Sequence, residues 1–328
     1  MAGKLMHAVQ YNSYGGGPAG LKFLFRPAPK ADEVLLKIEA VSINPIDWKL
    51  QKGIVRPFLP RKFPFIPSAT DVAGEVVTVG SGVKNFRAGD KVVSWISPAS
   101  SGGLAEFCVA KGSLTVPRPP ELSPVEAAGI PSGALSAHMA LTRFAGVKLD
   151  GSGPQKSILV TAASGGVGLF VVQLAKLGNT HVTATCGARN LELVKSLGAD
   201  EVLDYKTPDG ATLRSPSGRK YDAVIHCATG IPWSTFEPNL SGNGKVIDLT
   251  PGVSTMMTFA LKKFTCSRKR IVPLLYSPKG ENLEYLVQFV KEGKLKTIVD
   301  SKYPLSKAED AWAKSIDGHA TGKLVVEP

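Results

Sequence analysis

Apolar and polar positions follow one rhythm up to about residue 125 and another beyond it. In the first stretch the period is close to two. Residues 34–41, 71–79, 91–96 and 104–109 are short runs rich in Val, Ile and Ala, bounded by Gly, Pro, Asn and Asp, and each reads as a strand. Residues 80–83 and 86–90 read as turns. Pro57, Pro60, Pro64 and Pro67 make 56–67 an ordered loop, because proline fixes its own dihedral and donates no backbone hydrogen bond. Many short strands without helical periodicity predict a small barrel-like domain.

Beyond residue 123 helical and strand periods alternate. Ala-rich segments at 124–128 and 134–141 read as helices. Strand 158–162 leads into helix 169–177, and strand 181–186 into helix 191–197; strands 201–205, 223–227 and 244–249 follow. Such alternation predicts an α/β fold with a doubly wound parallel sheet. Residues 282–292 form one more amphipathic helix, carrying Leu283, Leu286, Val287, Phe289 and Val290. The tail breaks the alternation, with strands at 297–300 and 323–326 around a helix at 307–316. It is expected to complete the first domain. The predicted organisation is a catalytic domain of 1–125 and 295–328 around a Rossmann domain of 126–294, with substrate in the cleft between them.

Composition narrows the classes. A chain of 328 residues, 43% hydrophobic and 20% charged, suits about two globular domains. No apolar run approaches the roughly 18 residues of a membrane span, and no cleavable leader is read at the N-terminus. Cys108, Cys186, Cys227 and Cys266 are scattered without a C-x-x-C pair, which speaks against disulfides and zinc knuckles and for a reducing compartment. The net charge of +12 favours acidic partners in general, a phosphorylated cofactor, an anionic membrane surface or nucleic acid, although a merely basic enzyme accounts for it better than any one of these. Nucleic acid is not assigned as a partner.

The chemistry centres on Ala163-Ser164-Gly165-Gly166-Val167-Gly168, between the strand at 158–162 and the helix at 169–177. Ala163, Gly165 and Gly168 fall on the spacing of a dinucleotide fingerprint, with Ala for the first Gly. Small residues there let the backbone approach a pyrophosphate, and the helix N-terminus offers it N–H groups and partial positive charge. The next strand, ending at Thr185-Cys186, lacks the carboxylate that would bind a ribose 2′-hydroxyl. Arg189 follows instead, and its guanidinium suits a 2′-phosphate, so the cofactor read is NADPH. Gly187, Tyr205, Cys227, Leu249, Thr250 and Lys323 are further cofactor-binding candidates.

Asn44-Pro45-Ile46-Asp47-Trp48-Lys49, Asp71-Val72-Ala73-Gly74-Glu75-Val76, Gly89-Asp90-Lys91-Val92, 162–168, Ser196-Leu197-Gly198-Ala199-Asp200 and Gly322-Lys323-Leu324-Val325 occur in one order and spacing. In these the chain resembles the zinc-free quinone oxidoreductase branch of the medium-chain dehydrogenase/reductase superfamily, along essentially its whole length and most closely the plant chloroplast envelope homologues. The resemblance implies a GroES-like catalytic domain around the Rossmann domain and NADPH-dependent hydride transfer to the C=C bond of α,β-unsaturated carbonyls. Reduction of quinones and a non-catalytic, NADPH-binding role at a membrane are the alternatives. It further implies a chloroplast location, peripheral at the inner envelope. Zinc alcohol dehydrogenases carry Gly-His-Glu where this chain has Ala69-Thr70-Asp71, so no metal is expected.

The catalytic candidates are Asn44, a donor toward nicotinamide or carbonyl, and Asp47 and Lys49, which position or protonate; a plain Asp47–Lys49 pairing is the competing reading. Trp48 and Trp95 are either pocket walls or core, and so are Met256 and Met257. Tyr303 and Lys307 match a Tyr-x-x-x-Lys spacing, but Pro304 between them makes the match accidental. Two basic clusters motivate membrane binding: Lys52, Arg56, Arg61 and Lys62 with Phe58 and Phe63, and Lys262, Lys263, Arg268, Lys269 and Arg270 with Phe259 and Phe264. A homodimer is left open.

Overall fold

The computed structural model describes residues 4–15, 21–54, 63–98 and 102–328, and its first part holds seven strands, the four expected and three more at 5–9, 21–25 and 115–117. They are β1 (Leu5–Val9), β2 (Leu21–Phe25), β3 (Glu33–Ile43), β4 (Asp71–Val79), β5 (Lys91–Trp95), β6 (Phe107–Lys111) and β7 (Thr115–Pro117). The alternating part supplies β8 (Ser157–Thr161), β9 (His181–Cys186), β10 (Glu201–Asp204), β11 (Tyr221–His226), β12 (Leu240–Asp248) and β13 (Arg270–Pro273). The tail adds β14 (Val299–Pro304) and β15 (Lys323–Glu327).

Two compact units result, one of residues 1–132 and 278–328, the other of 133–277. The helix Gly280–Lys291 falls in the first. There, one sheet runs β14-β15-β3-β4-β5-β7, with β6 also on β3, and β1 and β2 form a separate ribbon. Val34, Leu36, Val41, Val72, Val76 and Val92 fill its core. The tail belongs to this core physically: β15 pairs antiparallel with β3, and the helix Ala308–Asp317 inserts Trp312, 2% exposed, beside Tyr11. Truncating such a buried aromatic costs about 3–5 kcal/mol.

The second unit is a six-stranded parallel sheet in the order β10-β9-β8-β11-β12-β13. This is the doubly wound order, with its reversal at β8. The strand expected at 104–109 lies at 107–111, and the one expected at 297–300 lies at 299–304. Tyr303 sits on β14 while Lys307 closes a 3₁₀ turn, so the two never share a helix face. A helix at Val253–Phe264 has no counterpart in the sequence reading. Among the described residues no helix is long and apolar enough to cross a membrane.

Candidate active site

In the second unit β8 ends at Thr161 and the chain turns sharply, with Ala162 at φ +49°. Ala163 N–H donates to the Thr185 carbonyl at 2.8 Å and Gly165 N–H to that of Ala162 at 3.0 Å, which pins the turn to β9 and to itself. The helix Gly168–Leu177 starts at once and buries Val171, Val172, Leu174 and Ala175. A Cβ on Gly168 would lie 2.4 Å from the Ala162 carbonyl oxygen and 2.7 Å from Ala163 Cα, so only glycine fits where the helix meets the strand. Gly133 is equally constrained, 2.5 Å from the Gly166 oxygen. Ser164, Gly166 and Val167 complete the turn between them. The first N–H groups of a helix have no acceptor within it. A cradle built of backbone at such a terminus fits a pyrophosphate.

The other cofactor candidates follow the carboxyl ends of neighbouring strands. Gly187 leaves β9 and precedes the 3₁₀ turn Ala188–Asn190, which holds Arg189 exposed. Tyr205 leaves β10, donates its N–H to the Cys186 carbonyl at 3.1 Å, and is 45% exposed. Lys206 Nζ stands 5.9 Å from the Tyr205 ring. Lys206 was not among the sequence candidates. Across the switch point, Thr161 Oγ1 sits 2.8 Å from His226 Nδ1 and accepts the Cys227 N–H at 3.0 Å, which ties β8 to the end of β11. Leu249 N–H donates to the His226 carbonyl at 3.1 Å, and Thr250 Oγ1 to that of Ala228 at 3.0 Å. Burial, with the Asp248 charge behind it, pushes the Cys227 thiol up to about 12, so it stays protonated. Met256 and Met257 lie on Val253–Phe264 at 48% and 69% exposure, which removes the core reading for both.

The first unit gathers a different site. Ile43 pairs with Leu324, Ser42 with Asp71, and Asp71 with Trp95, so β15, β3, β4 and β5 bring Lys323, Asn44, Asp71 and Trp95 to one sheet end. Asp71 is fully buried and Lys323 is 3% exposed. Lys323 Nζ donates to Asn44 Oδ1 at 2.5 Å and to Asp71 Oδ2 at 3.2 Å. Asn44 Nδ2 donates to Asp71 Oδ2 at 2.9 Å. Ser132 supplies Asp71 Oδ1 with its N–H at 3.0 Å and its hydroxyl at 2.5 Å, and Trp95 Nε1 donates to Ser132 Oγ at 3.1 Å. Thr70 Oγ1 closes the cluster 3.0 Å from Ser132 Oγ.

Asn44 also opens the helix Pro45–Gln51, and its N–H donates to Asp47 Oδ2 at 2.7 Å. Burial pushes the Asp47 carboxyl up to about 8, aided by the Asp71 charge and opposed by the Asn44 backbone bond and by Lys323. The cation beside Asp47 is thus Lys323, while Lys49 Nζ stands 5.7 Å from the Trp48 ring, which packs on the core. Lys323, expected among the cofactor contacts, is bonded inside this cluster. Asp71, Thr70 and Ser132 were not among the sequence candidates. Among the described residues no three His, Cys, Asp or Glu side chains group to hold a metal.

The basic clusters separate in the same way. Arg56, Phe58, Arg61 and Lys62 lie outside the described residues, and Phe63 packs on the first core. Lys262 pairs with Glu237 at 2.8 Å, Lys269 Nζ donates to the Glu237 carbonyl at 2.8 Å, and Phe259 packs inward, whereas Phe264 is 88% exposed.

Comparison with known proteins agrees with these features. Residues 30–147 match the family "alcohol dehydrogenase GroES-like domain" and residues 197–326 match "zinc-binding dehydrogenase". The chloroplast envelope quinone oxidoreductase homologue of Arabidopsis thaliana is 70% identical over 330 residues, covering 100% of both chains. The chloroplastic NADPH-dependent alkenal/one oxidoreductase of the same plant is 34% identical over 99% of this chain and 80% of its own. The quinone oxidoreductase of Coxiella burnetii superposes with a TM-score of 0.89 at 30% identity, over 99% of this chain and 100% of that one.

Proposed function

The chain belongs to the medium-chain dehydrogenase/reductase superfamily, in its quinone oxidoreductase branch, and from that premise we propose that it is an NADPH-dependent reductase of the C=C bond of α,β-unsaturated carbonyls. It is an oxidoreductase with a small-molecule substrate. Residues 163–168 cradle the pyrophosphate, Arg189 and Lys206 pair with the 2′-phosphate beside Gly187 and Tyr205, and Cys227, Leu249 and Thr250 line the strand ends beyond. Bound NADPH supplies the hydride.

The observation that carries the substrate reading is the bonding of Asp71 by Lys323, Asn44 and Ser132. At the place where the zinc branch keeps metal ligands, this chain holds a closed ion pair ringed by hydroxyl, amide and indole donors. Conjugate addition needs only one or two donors at the substrate oxygen as enolate charge develops. Asn44, whose other Nδ2 contacts are at 3.5 Å, is the proposed donor. Asp47 holds Asn44 in place, and Lys49 delivers the proton. The relative named an alkenal/one oxidoreductase supports this reading. Quinone reduction is the second reading, favoured by the names of the more similar relatives. Those relatives, called chloroplastic or of the envelope, also support a chloroplast location; peripheral binding to the inner envelope is proposed from the basic clusters beside exposed aromatics.

A panel of enones, alkenals and quinones mixed with protein and NADPH, followed by NADPH absorbance, tests the function. Enones and alkenals are expected to consume NADPH. Consumption by quinones alone establishes the second reading, and no consumption by any of them overturns both.

A further inference from the structure

We propose that the outward face of the helix Val253–Phe264 is the surface by which this protein lies on an anionic lipid bilayer; this rests on the membrane reading above and names the part that makes contact. Val253, Met256, Met257, Ala260, Leu261 and Phe264 recur at the three- and four-residue spacing of a single helical stripe. Every one of them is exposed, from 48% at Met256 to 88% at Phe264 among the large side chains. The helix is held from its opposite side. Thr255 Oγ1 donates to Asp248 Oδ2 at 2.6 Å, Phe259 packs on the core of Leu159, Val224 and Val246, and Lys262 reaches Glu237. The apolar stripe therefore turns away from the sheet that anchors it. A strongly two-faced helix with its apolar side uncovered is the form that sinks about 5–10 Å into a headgroup layer.

Charge selects the occupant. Between Asp248 and Glu281 the chain carries no acidic residue; Lys262 and Lys269 are bonded to Glu237, while Lys263, Arg268 and Arg270 stand exposed at the end of the helix and the turn after it. Lys263 and Arg268 are exposed beside Phe264 in sequence. Anionic headgroups complement that arrangement. A second copy across a two-fold axis would oppose these cations with their own likes.

Co-sedimentation with vesicles of phosphatidylcholine, alone or mixed with phosphatidylglycerol, at low and high salt, tests the inference on the full chain. The wild type is expected on the anionic vesicles at low salt. L261E/F264E should bind them at least about tenfold more weakly, through lost apolar burial. K263Q/R268Q should lose about tenfold on anionic vesicles alone. Unchanged melting temperatures confirm that both variants fold. Wild-type binding with undiminished binding of both variants overturns this surface and leaves the membrane reading standing. A wild type that does not distinguish anionic from neutral vesicles overturns the membrane reading and the surface together. If light scattering shows that L261E/F264E halves the mass of the wild type, the stripe holds a second copy and the inference falls.

Discussion

The turn after β8 and the cluster around Asp71 are the two candidate sites, and they use opposite materials. The turn is backbone, six successive residues of which three are glycine, and its precision comes from the absence of side chains. Gly168 is irreplaceable because carbonyl and Cα atoms occupy the space of its Cβ. The Asp71 cluster is mainly side chains, carboxylate, ammonium, amide, indole and two hydroxyls, joined by one backbone N–H from Ser132, and most of them are sealed from water. A backbone cradle tolerates changes in the side chains around it. A sealed ion pair does not, since removing either partner strands a charge in a poorly polarisable interior.

Breaking the cluster should therefore have the largest effect. Lys323→Met leaves Asp71 buried without its cation and should cost about 3–5 kcal/mol of stability, read from the shift of the urea unfolding midpoint. The double variant K323M/D71N should recover much of that loss. If K323M alone unfolds like the wild type, the pair is not formed in solution.

At the cradle the effects should be confined to the ligand. Arg189→Ala should weaken NADPH by more than about tenfold and leave NADH nearly unchanged, because only the former carries the 2′-phosphate. Titration of both cofactors against both proteins checks it, and equal losses would remove Arg189 from the cofactor site. Lys206→Ala should do the same to a smaller degree.

A slope with pH is expected as well. Folded Asp47 keeps its proton up to about pH 8, whereas an unfolded aspartate loses it near 4. Between those values the folded state binds the extra proton, so stability falls as pH rises, by on the order of 1.4 kcal/mol per pH unit from this group. Above about pH 8 its contribution no longer changes. Asp47→Asn should flatten the decline, as measured by denaturant unfolding at intervals of pH. A variant as steep as the wild type would show that Asp47 is ionised when folded.

The same contrast explains what could be read from the chain. The cradle is local: strand, small-residue turn and helix follow one another within about twenty residues, and Ala163, Gly165 and Gly168 announce it by spacing. The cluster is assembled from far along the chain, with members at positions 44, 70, 71, 95, 132 and 323: the pairings of β15, β3, β4 and β5 bring the strand ends together, and the helix Pro131–Met139 supplies Ser132. Nothing in the neighbourhood of Lys323 announces Asp71. Asp47 was a candidate beside Asn44, with Lys49 as its expected partner, yet the cation beside it came from the opposite end of the chain. The helix Val253–Phe264 shows a different failure. Its stripe is plain in the spacing, but spacing tells that a face is apolar and not which way it points.

The most direct measurement of the central claim follows the hydride itself. NADPH carrying deuterium at its transferable position is incubated with the protein and a simple enone, and the product is analysed by mass spectrometry and NMR. The account predicts a saturated ketone with deuterium on the carbon β to the carbonyl. An allylic alcohol with deuterium on the carbinol carbon would contradict it.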